Sequence, residues 1–263
     1  MLGTRILVAL VGSPLLLIAA YLGEWWLSLL VAMLTFFCLK EFYSLVSRLK
    51  LKPLLPVGFL GCVFVLIITY LNRDMASWLG SGLSVSLLVI FLIFFPRIGI
   101  GDLAATLLGI WYIGVSLAYL PLIRFLPYGM GGLILTFLLT WVNDTGAYFS
   151  GRLFGRYHPW PNLSPGKTLA GVFGGLIGTI ILALVLGPLL IPVLNKLLLI
   201  GLATLVSIAA QAGDLIESGF KRKANIKDSG DILLGHGGFL DRFDSLLLVA
   251  PVVYYYLVFF LPT

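Results

Sequence analysis

Asp241 and Asp244, in the stretch GGFLDRFDS, are two carboxylates three residues apart. On a helix they share one face, with Cβ atoms about 5–6 Å apart. Like charges so close destabilise each other unless a cation sits between them. Carboxylate oxygens with no histidine or cysteine in the same stretch suit a hard ion such as Mg²⁺, which keeps several waters and takes phosphate oxygens as further ligands. A plainer reading makes Asp244 the N-cap of the following helix, with Ser245 next to it, and leaves Asp241 without a role.

Immediately upstream the chain concentrates charge and glycine in KRKANIKDSGDILLGHGG, Lys221 to Gly238. Lys221, Arg222, Lys223 and Lys227 surround these acids and can all be plain charges at a membrane surface, a reading that weighs most for Lys223. Asp228 follows Lys227 directly, and Gly230, Gly235, Gly237 and Gly238 allow positive φ and close approach of backbone to a phosphate. His236 is either a phosphate donor or an ordinary loop residue.

Two further acidic positions lie inside apolar runs, Asp144 in LTWVNDTGAYFSG and Asp214 with Glu217 in SIAAQAGDLIESGF. A carboxylate in mid-membrane costs roughly 2.5–3.5 kcal/mol on insertion scales, so such acids are candidates for function. The bland alternative puts them at helix ends, satisfied by water or a snorkelling lysine, and it weighs most for Glu217. Asp214 follows small residues that permit close helix packing. On a helix it shares a face with Glu217, Ser218 and Lys221, and it calls for a metal or a lysine partner. SPGKT, Ser164 to Thr168, superficially resembles a phosphate loop. Pro161 stands where such a loop has its first glycine and no strand precedes it, so a Walker-type ATPase is rejected. Pro165 and Gly166 are expected to turn the chain into a helix, with Lys167 projecting into a cytoplasmic cavity.

The elements that must position these groups follow from composition. Of 263 residues, 60% are hydrophobic and only 11% charged, and the mean hydropathy is +1.09. A soluble domain carries about a quarter charged residues, so the chain reads as an integral membrane protein. Alternating strand patterning is absent, which favours an all-α polytopic bundle over a barrel. Apolar runs place about nine transmembrane helices near 6–22, 25–40, 54–71, 77–95, 103–123, 131–150, 170–192, 197–218 and 244–261. The N-terminal run is taken as a retained first span and not as a cleaved signal peptide. Cys38 and Cys62 sit in apolar runs and read as buried hydrophobes, neither a disulfide nor a metal site.

With the N-terminus cytoplasmic and the C-terminus outside, Arg73, Arg124 and Lys196 are the only ones of the 17 Lys and Arg left outside. That asymmetry satisfies the positive-inside rule and puts both SPGKT and the Lys221–Ser245 stretch on the cytoplasmic side. The net charge of +6 lies between spans, which points to an anionic membrane surface or a phosphorylated substrate and not to nucleic acid. The chain reads as one membrane domain, 1–263, with 1–130 for packing, dimer or lipid contacts and 131–263 carrying the catalytic spans and loops.

Ser218, Lys221, Arg222, Lys227, Asp228, Gly235, His236, Gly237, Gly238, Asp241, Arg242 and Asp244 form S-x-x-K-R-x₄-K-D-x₆-G-H-G-G-x-x-D-R-x-D. This run resembles the signature of the phosphatidate cytidylyltransferases, the CDP-diacylglycerol synthases. NDTGAYFSGRLFGRYH and LSPGKTLAGVFGG are similar to two further family segments in the same order. Two positions depart from the pattern, Leu234 where the family often has proline and Ala170 where many members have a polar residue. The resemblance implies transfer of CMP from CTP to phosphatidic acid, giving CDP-diacylglycerol and pyrophosphate for phospholipid biosynthesis. It implies Mg²⁺ on Asp214, Asp241 and Asp244, with room for a second cation. Lys221, Arg222, Lys227 and Asp228 would act beside these acids, and Asp144, Ser164, Lys167, Ser218, His236, Gly237, Gly238 and Arg242 would bind substrate. It also implies a homodimer. The short chain favours a bacterial inner membrane, with the site facing the cytoplasm.

A related reading is a CTP-dependent polyprenol, dolichol or phytol kinase, which needs a base for the lipid hydroxyl proton. An ion-coupled transporter would explain Asp144 and Asp214 but not the cytoplasmic SPGKT and GHGG segments beside paired acids.

Overall fold

The structure, a computed structural model, describes residues 12, 14–71, 85, 88–89, 92–93, 95–230 and 237–261. Among the described residues it is all-helical and contains no strand. After a helical stretch at 14–22 come α1 Glu24–Ser47, α2 Leu55–Leu71, α3 Ile100–Gly109 and a π-helical segment Ile110–Val115. α4 Ser116–Phe125, α5 Gly129–Phe154, α6 Leu169–Leu190, α7 Lys196–Lys223 and α8 Leu240–Phe260 complete the chain. Among the described residues five helical stretches are long and apolar enough to cross a membrane: Trp25–Ser47, Ile100–Phe125, Leu169–Leu190, Lys196–Lys223 and Leu240–Phe260. α2 is apolar but shorter, and α5 is long enough, at 26 residues, but more polar because it carries Asn143 and Asp144. The span placed at 77–95 falls largely outside the described residues, as do Gly235 and His236.

Of the helices that outrun the limits hydropathy sets, three do so for a visible reason. α1 continues past Lys40 to Ser47 because Phe42, Leu45 and Val46 are buried along one face. α7 runs past 218 to Lys223, held by the i,i+4 ion pair of Glu217 with Lys221. α8 starts at Leu240, four residues ahead of the expected 244, because Glu41 accepts the Leu240 N–H. Asp244 is therefore inside the helix and does not cap it. Its Oδ1 accepts the N–H of Ser245 at 2.6 Å.

The chain packs as two compact units. The first comprises Met1–Leu122 and Lys223–Arg242. Its core gathers Phe42, Tyr43, Cys62, Ile110 and Ile113, and Tyr43 OH donates to the Thr106 carbonyl at 2.7 Å. Cys38 and Cys62 are both buried free thiols, as their surroundings in the sequence suggest. Phe37 stacks on Phe239 with ring centroids 4.8 Å apart, tying α1 to the segment that leads into α8.

The second unit comprises Ile123–Arg222 and Phe243–Thr263. Without a hydrophobic driving force in lipid, helices associate through close packing of small residues and through interhelical hydrogen bonds. α5 and α6 use the first device: a Cβ at Gly146 would lie 2.8 Å from the Gly174 carbonyl oxygen. α7 and α8 use it again at Gly213, where a Cβ would strike the Asp244 carbonyl and come within 3.0 Å of Ser245 Cα. The small-residue run before Asp214 thus allows the close packing that its composition suggests.

Candidate active site

The close approach at Gly213 sets the geometry that follows. It brings Asp214 on α7 and Asp244 on α8 near enough to act on each other electrostatically, and Asp144 on α5 acts on both. Asp244 is 8% exposed, whereas the Asp214 side chain is 44% exposed. A pair of buried and accessible carboxylates is thus presented to whatever enters.

Lys167 joins them from the loop before α6. Pro165 and Gly166 form the expected turn, closed by the Lys167 N–H on the Ser164 carbonyl at 3.1 Å. Thr168 then caps α6, its Oγ1 accepting the Gly171 N–H at 3.1 Å. Between these two fixed points Lys167 extends its ammonium to Asp214 Oδ2 at 2.9 Å and to the Gln211 carbonyl at 3.3 Å. The lysine partner that Asp214 requires is therefore Lys167. Lys221 bonds instead to Glu217 at 2.5 Å and still acts on Asp244 through its charge. Glu217 is the more deeply buried of the two acids on α7, at 1% exposure.

A buried polar chain orients Asp144. Gln211 Nε2 donates to Ser207 Oγ at 3.0 Å, Ser207 Oγ donates to Asn143 Oδ1 at 2.8 Å, and Asn143 Nδ2 donates to Asp144 Oδ1 at 3.2 Å. The Ser245 hydroxyl also hydrogen-bonds Asp144. Asn143, Ser207 and Gln211 are neighbours of these acids that the sequence reading passed over, and Ser245 figured there only beside Asp244 as a cap. Only Asn143, adjacent to the intramembrane Asp144, carried a signal. Beside Gln211 a largely apolar cavity of about 300 Å³ opens between α6 and α7, walled by Trp160, Val172, Leu176, Ile208 and Leu215.

The remaining expected residues are placed as follows. Ser218 Oγ is 3.5 Å from Asp214 Oδ1, at the outer limit of a hydrogen bond. Arg222 is exposed and donates from Nε to the Leu163 carbonyl at 3.3 Å, which ties the end of α7 to the SPGKT loop. In the first unit Lys227 and Asp228 are exposed, and so is Arg242. Gly237 adopts φ +75°, the positive value its type suggests. Asp241 lies on the first turn of α8 and spends Oδ2 on two backbone groups, the N–H of Gly238 at 2.7 Å and of Ser229 at 3.0 Å.

Among the described residues no three acidic, histidine or cysteine side chains converge on one point as a ready-made metal cage. Mg²⁺ does not require one: it is usually held by one or two carboxylates, with water and substrate phosphate oxygens completing the shell. In the second unit Asp144, Asp214, Glu217 and Asp244 face the two ammonium groups of Lys167 and Lys221. That leaves a local excess of negative charge which a divalent cation would offset.

The model of the Cytidylyltransferase family matches residues 3–260 of the chain. The chain belongs to the cytidylyltransferase family. Similar members include the phosphatidate cytidylyltransferases of Staphylococcus saprophyticus, 37% identical over 95% of both chains, and of Staphylococcus haemolyticus, 35% identical over the same share. That of Staphylococcus aureus strain COL is 34% identical over 81% of this chain and 86% of its own. In this cytidylyltransferase the lysine of SPGKT, the aspartate before Leu215 and the second aspartate of DRFD thus come together in one unit, although they are far apart in the chain.

Proposed function

We infer that the chain is a phosphatidate cytidylyltransferase, transferring CMP from CTP to phosphatidic acid. The observation that carries this reading is the ion pair of Lys167 with Asp214, which itself acts on Asp244 across α7 and α8, in a chain matched along most of its length by enzymes of that name. A phosphate monoester has a second pKa near 6, so phosphatidic acid brings an already ionised nucleophile and the site needs no strong base. A phosphate oxygen attacks the α-phosphorus of CTP, the bond from that phosphorus to the β-phosphate bridging oxygen breaks, and pyrophosphate departs with the bonding electrons.

The obstacle is repulsion between two polyanions, and the residues act on it. Lys167, carried on a capped helix start, meets the triphosphate by exchanging its Asp214 contact for a phosphate oxygen. Lys221 and Arg222 supply further positive charge for the departing pyrophosphate and the lipid headgroup, a role the family resemblance extends to Lys227. Asp214 and Asp244 would hold Mg²⁺, and the family resemblance adds Asp241 as a ligand. When bound, Mg²⁺ supplies charge neutralisation and alignment of the phosphates. Asp144, held by Asn143 and Ser245, keeps a negative wall against which the cations are ordered. The apolar cavity beside Gln211 is suited to the lipid end of the substrate.

The same reading places nine spans in a bacterial inner membrane, with the site facing the cytoplasm and the enzyme a homodimer. Purified protein given phosphatidic acid, CTP and Mg²⁺ should release pyrophosphate and CDP-diacylglycerol in equal amounts. Pyrophosphate without the liponucleotide would refute the transfer.

A further inference from the structure

Glu41 is 3% exposed on α1 and, among the described residues, forms no ion pair. One carboxylate oxygen, Oε2, accepts the N–H of Leu240 at 2.8 Å and the hydroxyl of Ser229 at 3.3 Å. The other, Oε1, is buried and makes no hydrogen bond. A buried carboxylate is costly, and one left half-satisfied calls for an explanation.

Its partners show what that geometry holds. Leu240 is the first residue of α8, so Glu41 satisfies one of the orphan N–H groups of that helix from a different helix, and its charge sits at the positive end of the helix dipole. Ser229 lies at the other end of the segment that leads into α8. Its backbone N–H goes to Asp241 Oδ2, which also takes the Gly238 N–H. Glu41 and Asp241 therefore clamp the same two points, Ser229 and the α8 start, and they interact electrostatically.

Gly230 and the motif glycine Gly238 are explained by the same side chain. A Cβ at Gly230 would meet Glu41 Oε1 at 2.6 Å, and one at Gly238 would collide with Glu41 Oε2 and with the Ser229 hydroxyl. Gly230 and Gly238 approach Glu41 this closely because they lack a side chain.

We propose that Glu41 is a positioning residue for CMP transfer, a carboxylate that fixes Ser229 and the first turn of α8 and so sets where Asp241 stands. The role rests on the reading of the chain as a phosphatidate cytidylyltransferase, but its structural half stands apart from activity.

The experiment uses the full chain in detergent and compares wild type, Glu41→Ala, Glu41→Gln and Gly230→Ala by two readouts. Hydrogen exchange without substrate reports on the N–H groups of Ser229, Gly238 and Leu240. Steady-state kinetics with CTP and phosphatidic acid, per folded protein, reports on turnover. Glu41→Ala should lose protection at all three amides and about 100-fold in kcat, the scale of a displacement of about 1 Å, with KM for CTP changed far less. Glu41→Gln keeps an acceptor oxygen and should restore most of both. Gly230→Ala should reproduce the loss from the loop side, and it carries the test if Glu41→Ala does not fold. Unchanged protection in Glu41→Ala overturns the proposal, as does a kcat loss that merely follows the folded fraction, or a Glu41→Gln variant as impaired as Glu41→Ala. If the wild type makes no CDP-diacylglycerol, the functional reading fails, and the exchange data alone decide whether Glu41 is the clamp.

Discussion

Lys167 Nζ lies 2.9 Å from Asp214 Oδ2, across 47 positions of sequence and between a loop and the helix α7. The lysine side chain is 20% exposed and the aspartate 44%, so the pair is open to a ligand on one side. An ion pair at an accessible site contributes little stability by itself. Its value is in holding an ammonium ready beside carboxylates until a phosphate takes it over.

Lys167→Met should therefore lower kcat/KM for CTP by about 100-fold or more, the range lost when one preorganised donor to developing charge is removed, while the melting temperature moves little. Steady-state kinetics against CTP at fixed phosphatidic acid would check this. A change within threefold would remove Lys167 from the site.

Asp214→Asn and Asp244→Asn should abolish turnover in folded protein, and chelation should silence the wild type until Mg²⁺ is returned. Asp241→Asn separates two roles. Asparagine can still accept the Ser229 and Gly238 N–H groups, so a purely structural Asp241 would tolerate it; the metal role predicts loss of turnover. Activity of Asp241→Asn within a few-fold of wild type would leave Asp241 as a fastener of the loop.

Asp144 and Asp214 stood out because they interrupt apolar runs, where the membrane makes such residues expensive and conspicuous, and Lys167 stood out through the SPGKT turn. The helices were legible for the same reason, since α2 through α8 lie close to the apolar runs. Their ends were not, because hydropathy stops at the first charge. Lys40 ended a span on paper, whereas α1 continues to Ser47 and buries Glu41, whose partners lie about 190 residues away in the chain. Asn143, Ser207 and Gln211 were hidden differently. Each is a common polar residue in a helix, and only the packing of α5 against α7 turns them into one hydrogen-bonded chain.

That chain has its own consequence. Asn143→Ala removes the shared partner of Ser207 and Asp144 and should destabilise the protein by about 1–3 kcal/mol, the cost of a buried polar group left unsatisfied. It should also reduce kcat by releasing Asp144. Thermal unfolding in detergent and turnover per folded protein would measure the two effects, and no change in either would show the chain to be incidental.

Gly213→Ala tests the close approach that brings α7 to α8. The added methyl meets the Asp244 carbonyl and Ser245 Cα. Overpacking of this kind costs about 1–3 kcal/mol, and here it also displaces Asp244 from Asp214. A lower melting temperature with a large loss of turnover is expected; wild-type activity would mean that the two aspartates need not be held so closely.

The central claim is transfer of the α-phosphoryl unit with its nucleoside, and CTP labelled separately at the α and γ phosphates tests it most directly. With phosphatidic acid and Mg²⁺, label from the α position should pass into the lipid fraction, and label from the γ position should appear only in pyrophosphate. Lipid labelled from the γ position would make the protein a lipid kinase, and lipid labelled from neither would contradict the account.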